Sequence, residues 1–288
     1  MKPILFPRGK LTAAEAVSQE RLAFAADSTL AVARGAELTD GPTTVQDLHD
    51  PRPRIDALRV ATRVVQINPL HLENERILPP GAAGVHGGPY KMLRTQVLRR
   101  LDKLNVNSLV VVGTATDTGK TLTAINLAIA IAADPGLTAL LIDLDLRRPS
   151  IHRRLGLEPA VGIEDCLRHE QPLADAMLRL GGYDRLVVLP ARQRSLDSSE
   201  LLSTRHTDNT VMEMRNRYRD RILVFDLPPV LEADDALAFA RHAQAALIVV
   251  AEGRTRRDDL LRTIELLHDV PIIGTVLNGT REATGTYY

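Results

Sequence analysis

The stretch SLVVVGTATDTGKTLTAINLAIAIA, residues 108–132, decides the fold. It opens with an unbroken aliphatic run, passes through a polar turn rich in Gly and Thr, and continues as an apolar segment of helical length. A continuous apolar run, rather than an alternating one, suits a strand buried on both faces. The turn, residues 113–121, holds the Gly-Lys-Thr of a phosphate-binding loop. Gly119 lets the backbone approach phosphates, Lys120 neutralises β and γ oxygens, and Thr121 offers a hydroxyl to Mg²⁺. The helix N-terminus adds N–H donors and a positive dipole end. Against the pattern G-x-x-x-x-G-K-[ST], Thr114 stands at the first glycine position and Gly113 lies one residue early. The candidate nucleotide-contacting set is therefore Gly113, Thr114, Ala115, Thr116, Asp117, Thr118, Gly119, Lys120, Thr121 and Leu122.

Outward from this stretch, the runs TALLIDLD, RLVVLP, RILVFDLPP, ALIVVAEG and PIIGTVLN are separated by helix-length segments. The alternation predicts an α/β domain with a doubly wound, mostly parallel sheet covered by helices. Ligands in such sheets sit beyond the carboxyl ends of the strands. There, TALLIDLDLRRPS places Asp143 and Asp145 two residues apart, on one side of an extended chain. Alone, this pattern is a helix cap. Beside a phosphate site, the two carboxylates suit a shared hydrated Mg²⁺, and one can accept a proton from an attacking hydroxyl. The run RILVFDLPP ends on Asp226, at the place of the second metal-side acid of nucleotide hydrolases, and Pro228 and Pro229 stop the strand.

Composition narrows the function classes. The chain has 288 residues, 44% hydrophobic and 25% charged, which excludes disorder throughout and collagen-like structure. Lys and Arg total 36 against 36 Asp and Glu, so no net field steers the protein toward nucleic acid, and none is expected as a partner. The single cysteine, Cys166, excludes an intramolecular disulfide framework or a Cys-rich metal site and fits a reducing cytoplasm. The start MKPILFPRGK is interrupted by Pro3 and Pro7 and does not read as a signal peptide. No apolar run approaches the ~18 residues that span a bilayer, so membrane association is expected through a partner. The eight histidines show no metal-ligand spacing.

Proline and glycine clusters suggest the divisions. Residues 1–88 read as an N-terminal extension of helices and linkers, 89–280 as the P-loop domain, and 281–288 as a tail. In the extension, Thr12 with Glu15 opens one helix and residues 55–65 suggest a second. The regular core is expected from Pro89, placed at a first helical position. Leu93, Val97, Leu98, Leu101 and Leu104 would lie on one face of a helix reaching about Lys103. The basic exposed face of that helix lacks interleaved aromatics and suits solvent or a subunit contact rather than nucleic acid.

Taken together, YKMLRTQVLRRL from Tyr90, TGKTLTAINLAIAIA from Thr118, LLIDLDLRRPSIHRRLGL from Leu140, SSELL from Ser198, RILVFDLPPVLEADDALAFA from Arg221 and GTVLN from Gly274 resemble the bacterial tyrosine kinases, the BY-kinases, built on the ParA/MinD-like P-loop fold. Within that family the chain is similar to the CpsD/CapB-type autokinases of exopolysaccharide export systems, including those found with exosortases. The resemblance covers roughly two-thirds of the chain. It implies ATP and Mg²⁺ as cofactors, Lys120, Asp143 and Asp145 as catalytic residues, and Thr121, Asp145 and Asp226 on the metal. Asp143 is then the candidate base for the tyrosine proton. Arg147 either touches phosphate, orders the acids or is a plain surface arginine, and Asn278 ends the last strand where relatives contact adenine. The resemblance further implies a cytoplasmic enzyme recruited to the inner membrane face by a chain-length-determinant (polysaccharide co-polymerase) activator, with self-association and a tyrosine phosphatase as further partners.

The chain also departs from the family pattern. Asp117 and Thr118 stand where Gly and Glu usually precede Gly-Lys, and the subunit-packing pattern E-x-x-R-x-x-R meets Gly88, Lys91 and Arg94. The tyrosine cluster is reduced to Tyr287 and Tyr288, the candidate phosphoacceptors, ten residues beyond Asn278 and within about 33–36 Å of it when extended. Three readings are open: a protein-tyrosine autokinase, a ParA/MinD-like ATPase switch, or a nucleotide-binding pseudokinase partner of a membrane polysaccharide complex.

Overall fold

The computed structural model describes residues 62–82, 87–217 and 220–280. In chain order these form β1 (Arg63–Val65), α1 (Pro69–Asn74), a 3₁₀ turn (Pro80–Ala82), α2 (Gly87–Leu104), β2 (Ser108–Gly113) and α3 (Lys120–Ala132). Next come β3 (Thr138–Asp143), α4 (Ile151–Arg154), α5 (Ile163–Leu167), α6 (Leu173–Ala176), β4 (Leu178–Leu180) and β5 (Leu186–Leu189). The remainder is α7 (Ser198–Leu202), α8 (Arg205–Asn216), β6 (Arg221–Asp226), α9 (Asp235–Ala240), β7 (Ala246–Ala251), α10 (Arg257–Leu266) and β8 (Ile272–Asn278).

The eight strands make one sheet in the order β1-β4-β5-β3-β6-β2-β7-β8. Every pairing is parallel except β4 with β5. The six apolar runs are six of these strands, and the mostly parallel, doubly wound α/β expectation holds. Successive residues alternate between two cores. Leu109, Val111, Leu141, Val224 and Leu247 enter one; Val110, Val112, Ile142, Phe225 and Ile248 enter the other. β2, β3, β5, β6 and β7 are buried along their whole length, between the two cores, which is why their sequences are mostly apolar.

The segment before Pro89 departs from expectation. Where a helix was expected over 55–65, Arg63–Val65 is a strand pairing in parallel with β4, residue 62 is a bend, and residues 55–61 lie outside the described residues. Two adjacent β-branched valines beside an open sheet edge favour pairing over an isolated helical turn. Nor does the core begin at Pro89: Leu72, Ile77, Leu78 and Ala82 are buried with Leu93 and Leu109 in one cluster. Asn126 of α3 ties this segment down, accepting the Leu78 N–H at 2.9 Å and donating to the Arg76 carbonyl at 3.0 Å. Tyr183 donates its hydroxyl to the Leu78 carbonyl at 2.8 Å. The helix expected from Pro89 starts at Gly87, so Pro89 is its third residue, still in the first turn where an N–H has no helical partner. Leu93, Val97 and Leu101 are buried as expected, whereas Leu104 is exposed at the helix end. The expected helix after Thr12 lies outside the described residues.

Candidate functional site

The phosphate loop joins β2 to α3 at the carboxyl edge of the sheet. Its start is fastened to the chain after β6: Val230 and Leu231 donate their N–H groups to the carbonyls of Gly113 and Thr114. Gly119 caps α3 with φ +88°, a left-handed conformation open to glycine at little cost. A β-carbon there would also stand 1.9 Å from Asn278 Nδ2. No side chain caps α3, so its first-turn N–H groups remain available to an anion.

Lys120 and the carboxylates meet behind this loop because β3, β6 and β2 are neighbours in the sheet. Asp143 and Asp226 are opposite residues across the β3–β6 pairing. Lys120 Nζ lies 2.6 Å from Asp145 Oδ2 and 3.5 Å from Asp226 Oδ1. Thr121 Oγ1 donates to Asp226 Oδ2 at 2.6 Å. Burial pulls the Lys120 ammonium value down, but the charges of Asp226 and Asp145 outweigh it and raise the value overall. Burial raises Asp226, with Lys120 and Thr121 partly opposing the shift. Asp143 is held well above the usual carboxylate range, by burial first and by the Asp226 charge second. Its carboxylate accepts N–H groups from Asp145 at 3.2 Å, Ser150 at 3.1 Å and Ile151 at 3.0 Å, organising the loop into α4.

The donor set fits Mg²⁺. Asp226 Oδ1 is buried and accepts no hydrogen bond, and its one charged neighbour is Lys120 Nζ at 3.5 Å, so the oxygen keeps coordinating capacity. Thr121 and Asp145 add hard oxygens beside it. Among the described residues no group of three or more His, Cys, Asp or Glu side chains could hold a metal alone. A magnesium ion held by these oxygens would need further ligands from outside the protein to fill its shell.

The structure brings together Lys120, Thr121, Asp143, Asp145 and Asp226. Arg147 is directed elsewhere: Nε donates to Asp235 at 2.5 Å and Nη2 to Asp234 at 2.6 Å, bracing the loop after β3 to the start of α9. Asn278, expected on adenine, donates Nδ2 to the Thr118 carbonyl at 3.0 Å. Arg94, in the expected subunit-packing pattern, donates to the Ala130 carbonyl of its own chain. Cys166 is buried, and burial pushes its thiol up to about 12, which rules it out as a nucleophile near neutral pH. Tyr287 and Tyr288 lie outside the described residues.

Two contacts with the loop had no signal in the sequence. Glu232 accepts the Thr116 N–H at 2.6 Å across 116 residues of chain. Arg254 donates to the Asp117 carbonyl from 137 residues away. Glu232 lies in the family-like stretch from Arg221 but outside its strand-end acid and proline pair, Arg254 lies in none of the matched stretches, and only the assembled sheet brings them to the loop.

Comparison with known proteins agrees with this geometry. The model of the CobQ/CobB/MinD/ParA nucleotide-binding domain matches residues 109–286. The chain is 27% identical over 201 residues to the tyrosine-protein kinase YwqD of Bacillus subtilis, covering 69% of this chain and 83% of that one. It is 35% identical over 172 residues to the succinoglycan biosynthesis transport protein ExoP of Rhizobium meliloti, covering 57% of this chain but only 21% of that longer protein. Among solved structures, the kinase domain of the Escherichia coli tyrosine kinase ETK superposes with a TM-score of 0.61 at 26% identity, covering 69% of this chain and 78% of that one. No helix among the described residues is long and apolar enough to cross a membrane.

Proposed function

Because the chain belongs to the CobQ/CobB/MinD/ParA nucleotide-binding family and has bacterial tyrosine kinases among its homologues, we propose that it is an ATP-dependent protein-tyrosine autokinase regulating exopolysaccharide polymerisation and export. The observation that carries this reading is Lys120 Nζ held between Asp145 and Asp226, with the Thr121 hydroxyl on Asp226 Oδ2 and no hydrogen bond to Asp226 Oδ1. In the reaction, a tyrosine hydroxyl oxygen bonds to the γ-phosphorus of ATP while the bond from that phosphorus to the β,γ-bridging oxygen breaks. ADP leaves and the phenolic proton passes to a carboxylate.

Lys120 leaves Asp145 for the phosphate oxygens when nucleotide binds, and the N–H groups at the start of α3 hold the same charge. Thr121, Asp226 and Asp145 would hold Mg²⁺, which would supply charge neutralisation at the phosphates. Asp143 is the base in this reading, kept ready to hold a proton by its burial. Catalysis is chiefly positioning and charge neutralisation. The acceptors are Tyr287 and Tyr288, and the enzyme works in the cytoplasm, recruited to the membrane by a co-polymerase partner.

The test is the intact mass of the purified chain before and after Mg·ATP, with Lys120→Met in parallel. Phosphate adducts on Tyr287 or Tyr288 that vanish in the variant are expected. Unchanged mass with ADP release would transfer the chain to the ATPase switches. Two features favour a third reading, a nucleotide-binding pseudokinase: the Glu232 carboxylate on the Thr116 amide and Asp117 within the loop both set a carboxylate at the phosphate loop. Nucleotide bound without turnover would select it.

A further inference from the structure

The ends of β7 and β8 lie side by side, Ala251 opposite Asn278, and Glu252 N–H donates to the Asn278 carbonyl at 2.9 Å. From this corner two side chains reach the phosphate loop. Arg254, on the turn after β7, donates to the carbonyl of Asp117, and Asn278 donates to the carbonyl of Thr118 at 3.0 Å. The Arg254 turn is itself fixed, since its N–H donates to the Ala251 carbonyl at 3.2 Å and Thr255 Oγ1 accepts the Ala251 N–H at 2.9 Å.

These carbonyls belong to successive peptide groups, and in a trans peptide the C=O and the N–H point in opposite directions. A donor that draws the Asp117 carbonyl toward β7 therefore turns the Thr118 N–H away from it. Asn278 does the same to the Gly119 N–H. The arrangement bears on two residues of unusual backbone, Asp117 with φ +57° and Gly119 with φ +88°. Left-handed geometry is unfavourable for a non-glycine residue, so without an external hold the turn at Asp117 has reason to relax.

We propose that Arg254 is a positioning residue for phosphate binding: with Asn278 it clamps two consecutive carbonyls outward, so that the N–H groups of Thr118 and Gly119 are aimed into the loop before any nucleotide arrives. This inference rests on the nucleotide-binding reading above for its consequence, but its geometry stands in the free protein. Preorganised donors bind a charge without first reorienting, which is where their advantage over water lies.

The experiment compares the wild type with Arg254→Ala and Arg254→Lys in two measurements. The first is deuterium uptake of the nucleotide-free protein across residues 113–121. Faster exchange is expected at Thr118 and Gly119 in Arg254→Ala, with recovery toward wild type in Arg254→Lys, which keeps a donor. The second is the affinity for Mg·ADP and Mg·ATP by calorimetry. Arg254→Ala is expected to weaken both by about tenfold, the size of one lost hydrogen bond. Unchanged exchange in Arg254→Ala overturns the clamp. So does a loss confined to ATP, which would make Arg254 a direct contact of the γ-phosphate. A wild type that binds neither nucleotide defeats the nucleotide reading instead, and the exchange measurement still decides the clamp.

Discussion

Asp143 and Asp226 occupy matching places on neighbouring strands, directly opposite one another at the carboxyl edge of the sheet, and both are fully buried. Their surroundings divide them. Asp143 faces the turn into α4 and gives its oxygens to three backbone N–H groups. Asp226 faces the phosphate loop, receives the Thr121 hydroxyl on one oxygen and leaves the other without a hydrogen-bond partner near Lys120. A strand-end aspartate in this fold thus takes its surroundings from the segment packed against it: the turn into a helix gives Asp143 three backbone N–H groups, and the phosphate loop gives Asp226 a threonine hydroxyl and a lysine.

The variant that would most directly undo this division is Asp143→Asn. In the proposed reaction Asp143 is the base, so the variant should lower phosphotransfer about 10²- to 10⁴-fold while Mg·ATP affinity stays near that of the wild type, as single-turnover assays would read. Transfer at the wild-type rate would leave Asp143 a brace alone. Asp226→Asn comes next. Its loss should appear in binding: about 10- to 100-fold weaker Mg·ATP, with little change for ADP in the presence of EDTA, by calorimetry. Equal losses with and without magnesium would move Asp226 off the metal.

The smallest expected effect concerns stability against pH. Both aspartates titrate above the usual carboxylate value, so across the window from about pH 4 up to their raised values the folded chain keeps protons that the unfolded chain has released. Their contribution to stability is therefore greatest on the acid side and declines as pH rises through that window. Urea midpoints measured at several pH values should show a shallower decline for Asp143→Asn than for the wild type. A steeper decline in the variant would contradict the assigned environment. The raised value of Lys120 acts only at alkaline pH, above this window.

Much of the site was legible because its chemistry is local. Gly119, Lys120 and Thr121 are contiguous, and Asp143, Asp145 and Asp226 each sit where an apolar run ends, so the strand–loop–helix context placed them at one edge. Arg147 was not legible: its two partners, Asp234 and Asp235, lie 87 and 88 residues away and look like ordinary helix-start acids. Asn278 belongs to the correct edge of the sheet on sequence grounds, but its hydrogen bond to Thr118 depends on the register of β8 against β7. The short strands β1 and β4, three residues each, carry too few side chains for a periodic signal.

Residue order alone specified the six long strands, the phosphate loop and the acids that end β3 and β6, because buried strands must be apolar on both faces and phosphate binding needs a fixed local order of residues. Three-dimensional packing was needed to establish that Leu72, Ile77, Leu78 and Ala82 share the core, that Asp143 takes three backbone N–H groups while Asp226 meets Lys120 and Thr121, and that Glu232 and Arg254 hold the loop from outside. Those outcomes depend on which strand ends become neighbours. Strand order is set by the packing of the whole sheet, and no local pattern of residues encodes it.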